Sequence, residues 1–352
     1  MTVAARLAPA VPPSATSEAP IVIVGNRQIG DFVRSHSLIR VCHAADPDAP
    51  IDVVTDEATA PLSGLMPEVR QAIGFTADHN RFDLAKRSAL ARRLRREGYA
   101  ASIVLRRGSK AALTPFLAGI PRRMGVGGSP VRYPLVNRRL PLPKSRDIDE
   151  LVGIARRWFG LGDGPLPEPR LHPSPAAVAA VRRDEDVADG EVVVAIVPGA
   201  PSDPRTWPVE SNAALIGKCR AQGWRVWLIG GPADQATADR LEQQFPAVRN
   251  FTRGSLLDAA VRLAAVTAVV AKDGGLLHVA AGLGRPTVAL FGVTDAWAYA
   301  PINAQVIIMT PDGAARRFHE LRPSKPFAPA PLSAIATDPV FTWLSEAIRA
   351  AA

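Results

Sequence analysis

The chain is poor in the features that would mark several large protein classes. No run approaches the 18 or so consecutive apolar residues that a membrane-crossing helix needs. Cysteine is nearly absent. Cys42 and Cys219 lie far apart, each inside a predicted helix, which excludes a disulfide framework and a paired-cysteine zinc site and points to a reducing, cytoplasmic setting. There is no H-x-x-E-H pattern, so no metal signature. Aromatic residues are few, 6% of the total. They do not interleave with the basic clusters, and no nucleic-acid motif accompanies those clusters, so nucleic acid is not an expected partner. The first residues, 1–20, are rich in Ala, Pro, Ser and Thr. Their prolines break the apolar run a secretory signal requires, so they read as a disordered tail.

The remainder describes a globular protein. Apolar residues make up 47% and charged residues 21% of 352, a length that suits two domains, each with its own core. The net charge is +9. Basic residues gather in the N-terminal half: Arg92, Arg93, Arg95 and Arg96 in one helix, then Arg106, Arg107 and Lys110, Arg122 and Arg123, Arg138 and Arg139. Solvated arginines, an anionic membrane face and a phosphorylated acceptor all fit such a pattern.

Read in order, the chain alternates strands and helices without hairpin turns. Ile21 to Gly25 is a buried strand, and Asn26 to Gly30 turn into a helix beginning at Asp31. Strands follow at Ile51 to Thr55 and Ala101 to Leu105, with helices at Leu84 to Glu97 and Lys110 to Ala118. Pro121 to Pro175 is irregular, with one helix over Asp147 to Phe159. A second series then begins: a strand to Val197, a helix from Pro208, a strand to Ile229, and helices from Asp234 and Leu256. The expected organisation is an α/β domain over residues 21–165, a Pro-rich linker over 166–176, and a second α/β domain over 177–352 whose last helix packs back on the first.

The most informative stretch is Val269 to Gly292, VVAKDGGLLHVAAGLGRPTVALFG. It reads as strand, Gly-rich turn, short helix and strand. The helix from Leu276 is apolar on nearly every side, so it is buried. Two glycines at its start leave bare N–H groups at the positive end of the helix dipole, an anion site that suits phosphate. The local alternative is equally simple: Asp273 caps the helix, Gly274 and Gly275 serve the turn, and His278 is a core histidine.

This stretch resembles the C-terminal signature of glycosyltransferase family 9, the ADP-heptose:lipopolysaccharide heptosyltransferases, roughly D-[ST]-G-x-x-H-x-A-A-x-x-x-x-P-x-x-x-L-[FY]-G. Asp273, Gly275, His278, Ala280, Ala281, Pro286, Leu290, Phe291 and Gly292 are in register. Gly274 stands where the pattern has Ser or Thr. Three further segments resemble the family in the same order. The turn at Gly25 to Arg40 carries the Gly-Asp pair that opens the family's first helix. Glu97 to Val126 is most similar to the second heptosyltransferases. Pro198 to Pro208, PGAPSDPRTWP, has Arg205 where the family has Lys.

The resemblance implies a GT-B fold, two Rossmann-like doubly wound parallel-sheet domains facing a cleft. It implies an inverting, metal-independent transferase without a cofactor, which moves heptose from ADP-heptose to an anionic lipopolysaccharide-core acceptor. Asp31 would be the base that takes the proton from the attacking hydroxyl. Ser202, Arg205 and the Asp273–Gly274–Gly275 turn would hold the pyrophosphate, and His278 would orient the site. Asp234 would meet the ribose, Gly254, Ser255 and Leu256 the adenine, and Lys110 the transferred sugar or the acceptor. Work on an anionic lipid at the cytoplasmic face of the inner membrane would give the basic helix a peripheral contact there. Two alternatives remain open: the same fold with another nucleotide sugar or with a capsule or protein acceptor, and a non-catalytic relative that binds a sugar nucleotide.

Overall fold

The computed structural model describes residues 19–26, 28–76, 83–105, 109–126, 134–140, 152–153, 155–156, 159–303, 305–323 and 329–351. The chain divides into two compact units. One comprises Met1–Asn26, Ser37–Ala60 and Glu68–Pro167, the other Arg27–His36, Pro61–Pro67 and Glu168–Ala352. The expected tail, the pair Arg106 and Arg107, and most of the helix expected over Asp147 to Phe159 lie outside the described residues.

The first unit is built on β1 (Ile21–Asn26), β2 (Ile51–Thr55), β3 (Gln71–Gly74), β4 (Ala101–Val104), β5 (Arg122–Val126) and β6 (Arg138–Leu140). They lie in the order β3-β2-β1-β4-β5-β6, and every pair is parallel. The runs IVIV, IDVVT and ASIV are apolar or small almost throughout, as strands covered on both faces must be. Val22, Val24, Val54 and Ile73 share one core with Leu90, Ala91 and Leu94 of the helix Leu84–Arg96. That helix starts where the Asp83 carboxylate accepts the Lys86 N–H at 2.8 Å. Its buried positions, Arg87, Leu90, Ala91 and Leu94, follow the i, i+3, i+4, i+7 spacing of one face. Arg92, Arg93, Arg95 and Arg96 are exposed. Arg95 is spoken for, since its guanidinium donates to the Leu117 and Ala118 carbonyls at the end of the neighbouring helix Ser109–Leu117.

The second unit carries β7 (Val193–Val197), β8 (Arg225–Ile229), β9 (Arg249–Phe251), β10 (Ala268–Lys272), β11 (Thr287–Leu290), β12 (Val306–Met309) and β13 (Ala315–Arg316). Their order is β13-β12-β11-β10-β7-β8-β9. Only the outermost pair, β12 and β13, is antiparallel among the pairs described. Chain order runs outward in one direction from β7 and in the other from β10. The carboxyl ends of these two neighbours therefore mark the topological switch point, where open α/β sheets bind their ligands.

Several sequence expectations are corrected. The segment read as irregular contains β5 and β6, which its Arg- and Pro-rich composition disguised. The linker is shorter than expected, because Pro175–Asp184 is already a helix with proline at its first position. The last helix, Thr337–Ala351, packs within the second unit. Its Val340, Leu344 and Ile348 are buried in the second unit's own core with Leu215, Ile216 and Cys219. The strand at the head of the Gly-rich stretch is Ala268–Lys272, so Lys272 ends it. Among the described residues no helix is long and apolar enough to cross a membrane.

Candidate active site

Beyond β7 the chain makes the loop Pro198 to Pro208. It is drawn tight by two turns, Asp203 N–H to the Ala200 carbonyl at 3.0 Å and Thr206 N–H to the Asp203 carbonyl at 2.9 Å. Trp207 anchors its far end. The indole is buried and its N–H donates to the Ile335 carbonyl at 3.0 Å. The loop presents Asp203 and Arg205 as a forked pair, Arg205 Nε to Oδ1 and Nη2 to Oδ2, both at 3.0 Å. Ser202 is exposed in the same loop.

Beyond β10 comes Asp273. It does not cap the helix Gly275–Gly282. Gly274 holds the cap position and no side chain caps it. Asp273 instead accepts a hydrogen bond from Thr294 Oγ1 at 2.8 Å and lies 3.6 Å from Arg205 Nη1. Lys272 Nζ donates to Asp203 Oδ2 at 2.6 Å. Four charged groups, Asp203, Arg205, Lys272 and Asp273, thus meet at the switch point. Burial works against ionising Asp203, but hydrogen bonds from Arg205 and Lys272 outweigh it and hold the carboxyl well below the usual range. The first N–H groups of the helix remain without a side-chain partner beside them.

His278, on the second turn of that helix, is buried. Burial, with a smaller push from the Arg34 charge, moves its pKa down to about 3. At neutral pH it is an uncharged imidazole, one donor and one acceptor. It does not act as a cation toward phosphate.

The helix Ile29–Ala45 brings Asp31 to the same place. Its first turns pack on Gly275–Gly282 through glycines. A Cβ on Gly30 would lie 2.7 Å from His278 Cδ2, and one on Gly275 would lie 2.7 Å from Ile29 Cβ. One turn on, Val33 reaches Gly282. This packing is why residues Arg27–His36 group with the second unit, although the sequence reading put them in the first. The Asp31 side chain is half exposed, on the first turn, 3.9 Å from Arg34 Nη1. Arg34 is itself buried. It donates to the Ala298 carbonyl at 3.1 Å and sits 5.8 Å from the Tyr299 ring centroid, while its Nε is buried without a hydrogen-bond partner.

The other expected residues follow the carboxyl edge of the sheet. After β8, the Asp234 carboxylate accepts the Gly231 N–H at 2.8 Å, closing the turn between them. After β9, Gly254 and Ser255 lead into the helix Leu256–Ala265, where Ser255 accepts the Asp258 N–H at 3.1 Å as N-cap. Asp273, Arg205, Asp234 and Ser255 thus stand beyond four successive neighbours, β10, β7, β8 and β9. Lys110 belongs to the other unit, exposed on the first turn of Ser109–Leu117. The sequence reading missed Arg34, Asp203, Lys272 and Thr294. Lys272 had a signal of its own, a charged residue ending an otherwise apolar buried strand. A cavity of about 650 Å³ elsewhere in the second unit, between Leu171, Arg182 and Arg285, shares no lining residue with this cluster.

Comparison with known proteins adds a second line of findings. The family model "Glycosyltransferase family 9 (heptosyltransferase)" matches residues 87–327. The chain is 34% identical over 288 residues to lipopolysaccharide heptosyltransferase 2 of Escherichia coli K12, covering 77% of this chain and 82% of that protein. The solved structure of E. coli ADP-heptose lps heptosyltransferase II aligns with a TM-score of 0.78 and 27% identity, over 94% of this chain and 99% of that one. E. coli heptosyltransferase WaaC with ADP aligns with a TM-score of 0.75 over 93% and 99% of the two chains; at 22% identity it speaks for the fold alone.

Proposed function

The chain belongs to glycosyltransferase family 9 and has the GT-B fold, and from that premise we propose that it transfers heptose from ADP-heptose to the inner core of lipopolysaccharide, with inversion. An acceptor hydroxyl oxygen attacks the anomeric carbon and forms the new glycosidic bond. The bond from that carbon to the phosphate oxygen breaks, and ADP leaves with the electron pair. The hydroxyl proton passes to the Asp31 carboxylate. Arg205 and the N–H groups at the start of Gly275–Gly282 meet the charge that develops on the pyrophosphate. Arg in place of Lys at 205 keeps the charge and adds a planar fork that Asp203 orients. His278, neutral and buried, fixes the shape of the floor beneath Gly30. Asp234 and Gly254 to Leu256 face the nucleoside, and Lys110 the sugar or acceptor phosphate. The enzyme works in the cytoplasm on an anionic lipid, and Arg92, Arg93 and Arg96 rest against the inner membrane while it does so.

The observation that carries this reading is the packing of Gly30 on His278, which ties a half-exposed carboxylate to the helix whose N-terminus is left open for an anion. The test is Asp31→Asn, assayed for turnover with ADP-heptose and core lipopolysaccharide and for ADP affinity. Loss of a general base lowers turnover by about 10²- to 10⁴-fold while ADP affinity stays within twofold. Turnover within tenfold of wild type would remove Asp31 from the mechanism. Stabilisation by UDP or GDP, and not by ADP, would transfer the reading to another nucleotide sugar. Gly274, lacking the family's hydroxyl, favours one other reading, a non-catalytic binder. Wild type and Asp31→Asn that both bind ADP and are equally inert would favour it.

A further inference from the structure

Lys272 is a strange residue for its position. It ends β10, whose other residues are Ala268, Val269, Val270 and Ala271, and only 9% of it is exposed. Burying an ammonium is costly unless it is well paired. The fold makes room for it specifically. Gly199, with φ of +81°, lies alongside the lysine arm, and a Cβ there would come within 2.8 Å of Lys272 Cε. The arm therefore runs past a glycine that only glycine satisfies. Its ammonium ends between Asp203 Oδ2 at 2.6 Å and the open side of Gly274, 3.8 Å from where a Cβ at 274 would stand.

Gly274 needs no glycine for its own sake. Its φ of 172° is ordinary extended backbone, and a Cβ would meet nothing closer than Lys272. The space a side chain would fill is left beside the ammonium, next to the uncapped start of Gly275–Gly282. The charge balance points the same way. Without Lys272, the carboxylates of Asp203 and Asp273 would face Arg205 alone, and the cluster would repel an incoming diphosphate. With Lys272 it is neutral, and an ammonium has three donors, of which Asp203 uses one.

We propose that Lys272 is a diphosphate ligand of this site, its ammonium occupying the room that Gly274 leaves open. The inference rests on the family reading above. It makes Lys272 and Arg205 two cations held ready on one carboxylate, which they share with the phosphates when the donor binds.

The test is isothermal titration of ADP and of adenosine into wild type, Lys272→Met and Asp203→Asn, with folding checked by circular dichroism. Loss of a charge-assisted contact weakens ADP binding in Lys272→Met by about ten- to a hundredfold and leaves adenosine binding within twofold. ADP affinity within twofold of wild type, or an equal fall for ADP and adenosine, overturns the proposal. Asp203→Asn decides the matter if Lys272→Met does not fold. Releasing both cations tightens ADP binding, whereas an unchanged or weaker affinity overturns the proposal. A folded wild type that binds no ADP overturns the donor reading itself, and this inference with it.

Discussion

A methyl group at position 30 is the sharpest probe of how Asp31, the proposed base, is held. In Gly30→Ala the new Cβ would lie 2.7 Å from His278 Cδ2 and 3.3 Å from Nε2. Carbon atoms pack best at about 3.5–4.0 Å, so one side must yield by about an ångström. His278 is itself buried, on a helix whose residues from Leu277 to Gly282 are all buried. Overpacking of this kind costs about 1–3 kcal/mol. Against it stands the ordinary helical gain of Ala over Gly, about 0.5–1 kcal/mol. The overpacking wins, with a net loss on the order of 1–2 kcal/mol and a fall in Tm of about 2–4 °C for each kcal/mol.

Turnover suffers more than stability. The helix start is what moves, and Asp31 is the next residue. A displacement of one ångström in a reacting group costs on the order of a hundredfold. The assay is a thermal melt beside steady-state turnover for Gly30→Ala, His278→Ala and the double variant. Removing the ring removes the clash, so the double variant loses less stability than the two single losses summed. A Gly30→Ala protein that melts at or above the wild-type temperature with unaltered turnover would falsify the packing argument.

Two further predictions concern the buried polar groups. Asp52 is fully buried in the first unit and accepts from Arg70 Nε at 2.8 Å, Gln71 Nε2 at 2.9 Å and Tyr99 Oη at 2.5 Å; Tyr99→Phe removes one such bond to a charged acceptor and lowers unfolding free energy in urea by about 1.5–3 kcal/mol, and no measurable change would mean that the phenol is dispensable there. His278 stays neutral in the fold down to about pH 3, while the unfolded chain takes up a proton near 6.5. Stability is therefore lost as pH falls from about 6.5 toward 3, and His278→Gln flattens that decline between pH 7 and 5; an unchanged slope would show that the ring is not buried neutral.

What could be read in advance depended on how local the physics was. The parallel sheets were legible because β2, β7 and β10 are runs of β-branched and small residues between helical periodicities. The Asp273–Gly275 turn was legible because glycines before an all-apolar helix have few other uses. β5 and β6 were not. Their sequences, RRMGV and RRL, look like solvated loop. They become strands because β4 offers β5 its parallel edge, and β5 then offers the same to β6. The Asp203–Lys272 pair was illegible for the same reason, since it joins residues 69 positions apart that meet only because β7 and β10 are neighbours. That one face of the last helix would be buried was legible, but its partners were not, because amphipathicity does not say what that face packs against.

Grouping Arg27–His36 with the second unit changes how the chemistry is held together. The spacing between Asp31 and the Asp273–Gly275 turn is set by side chains packed inside one compact unit: Ile29 on Gly275, Gly30 on His278, Val33 on Gly282. Asp31 and the Asp273–Gly275 turn, the proposed base and phosphate cradle, therefore keep their geometry by close packing, which tolerates little relative motion. Close packing also explains the tension gathered here. A neutral buried histidine, an Arg34 Nε without a partner, a lysine ending a buried strand and a helix start without a side-chain cap each break a local rule of stability. They lie on three elements that converge at one edge of one sheet. Structural packing alone would not select four such costs at a single place. The proposed site, receiving a diphosphate and presenting a carboxylate to it, would account for all four: the open N–H groups and the ammonium would face the anion, the uncharged imidazole would not compete for it, and Arg34 lies beside Asp31.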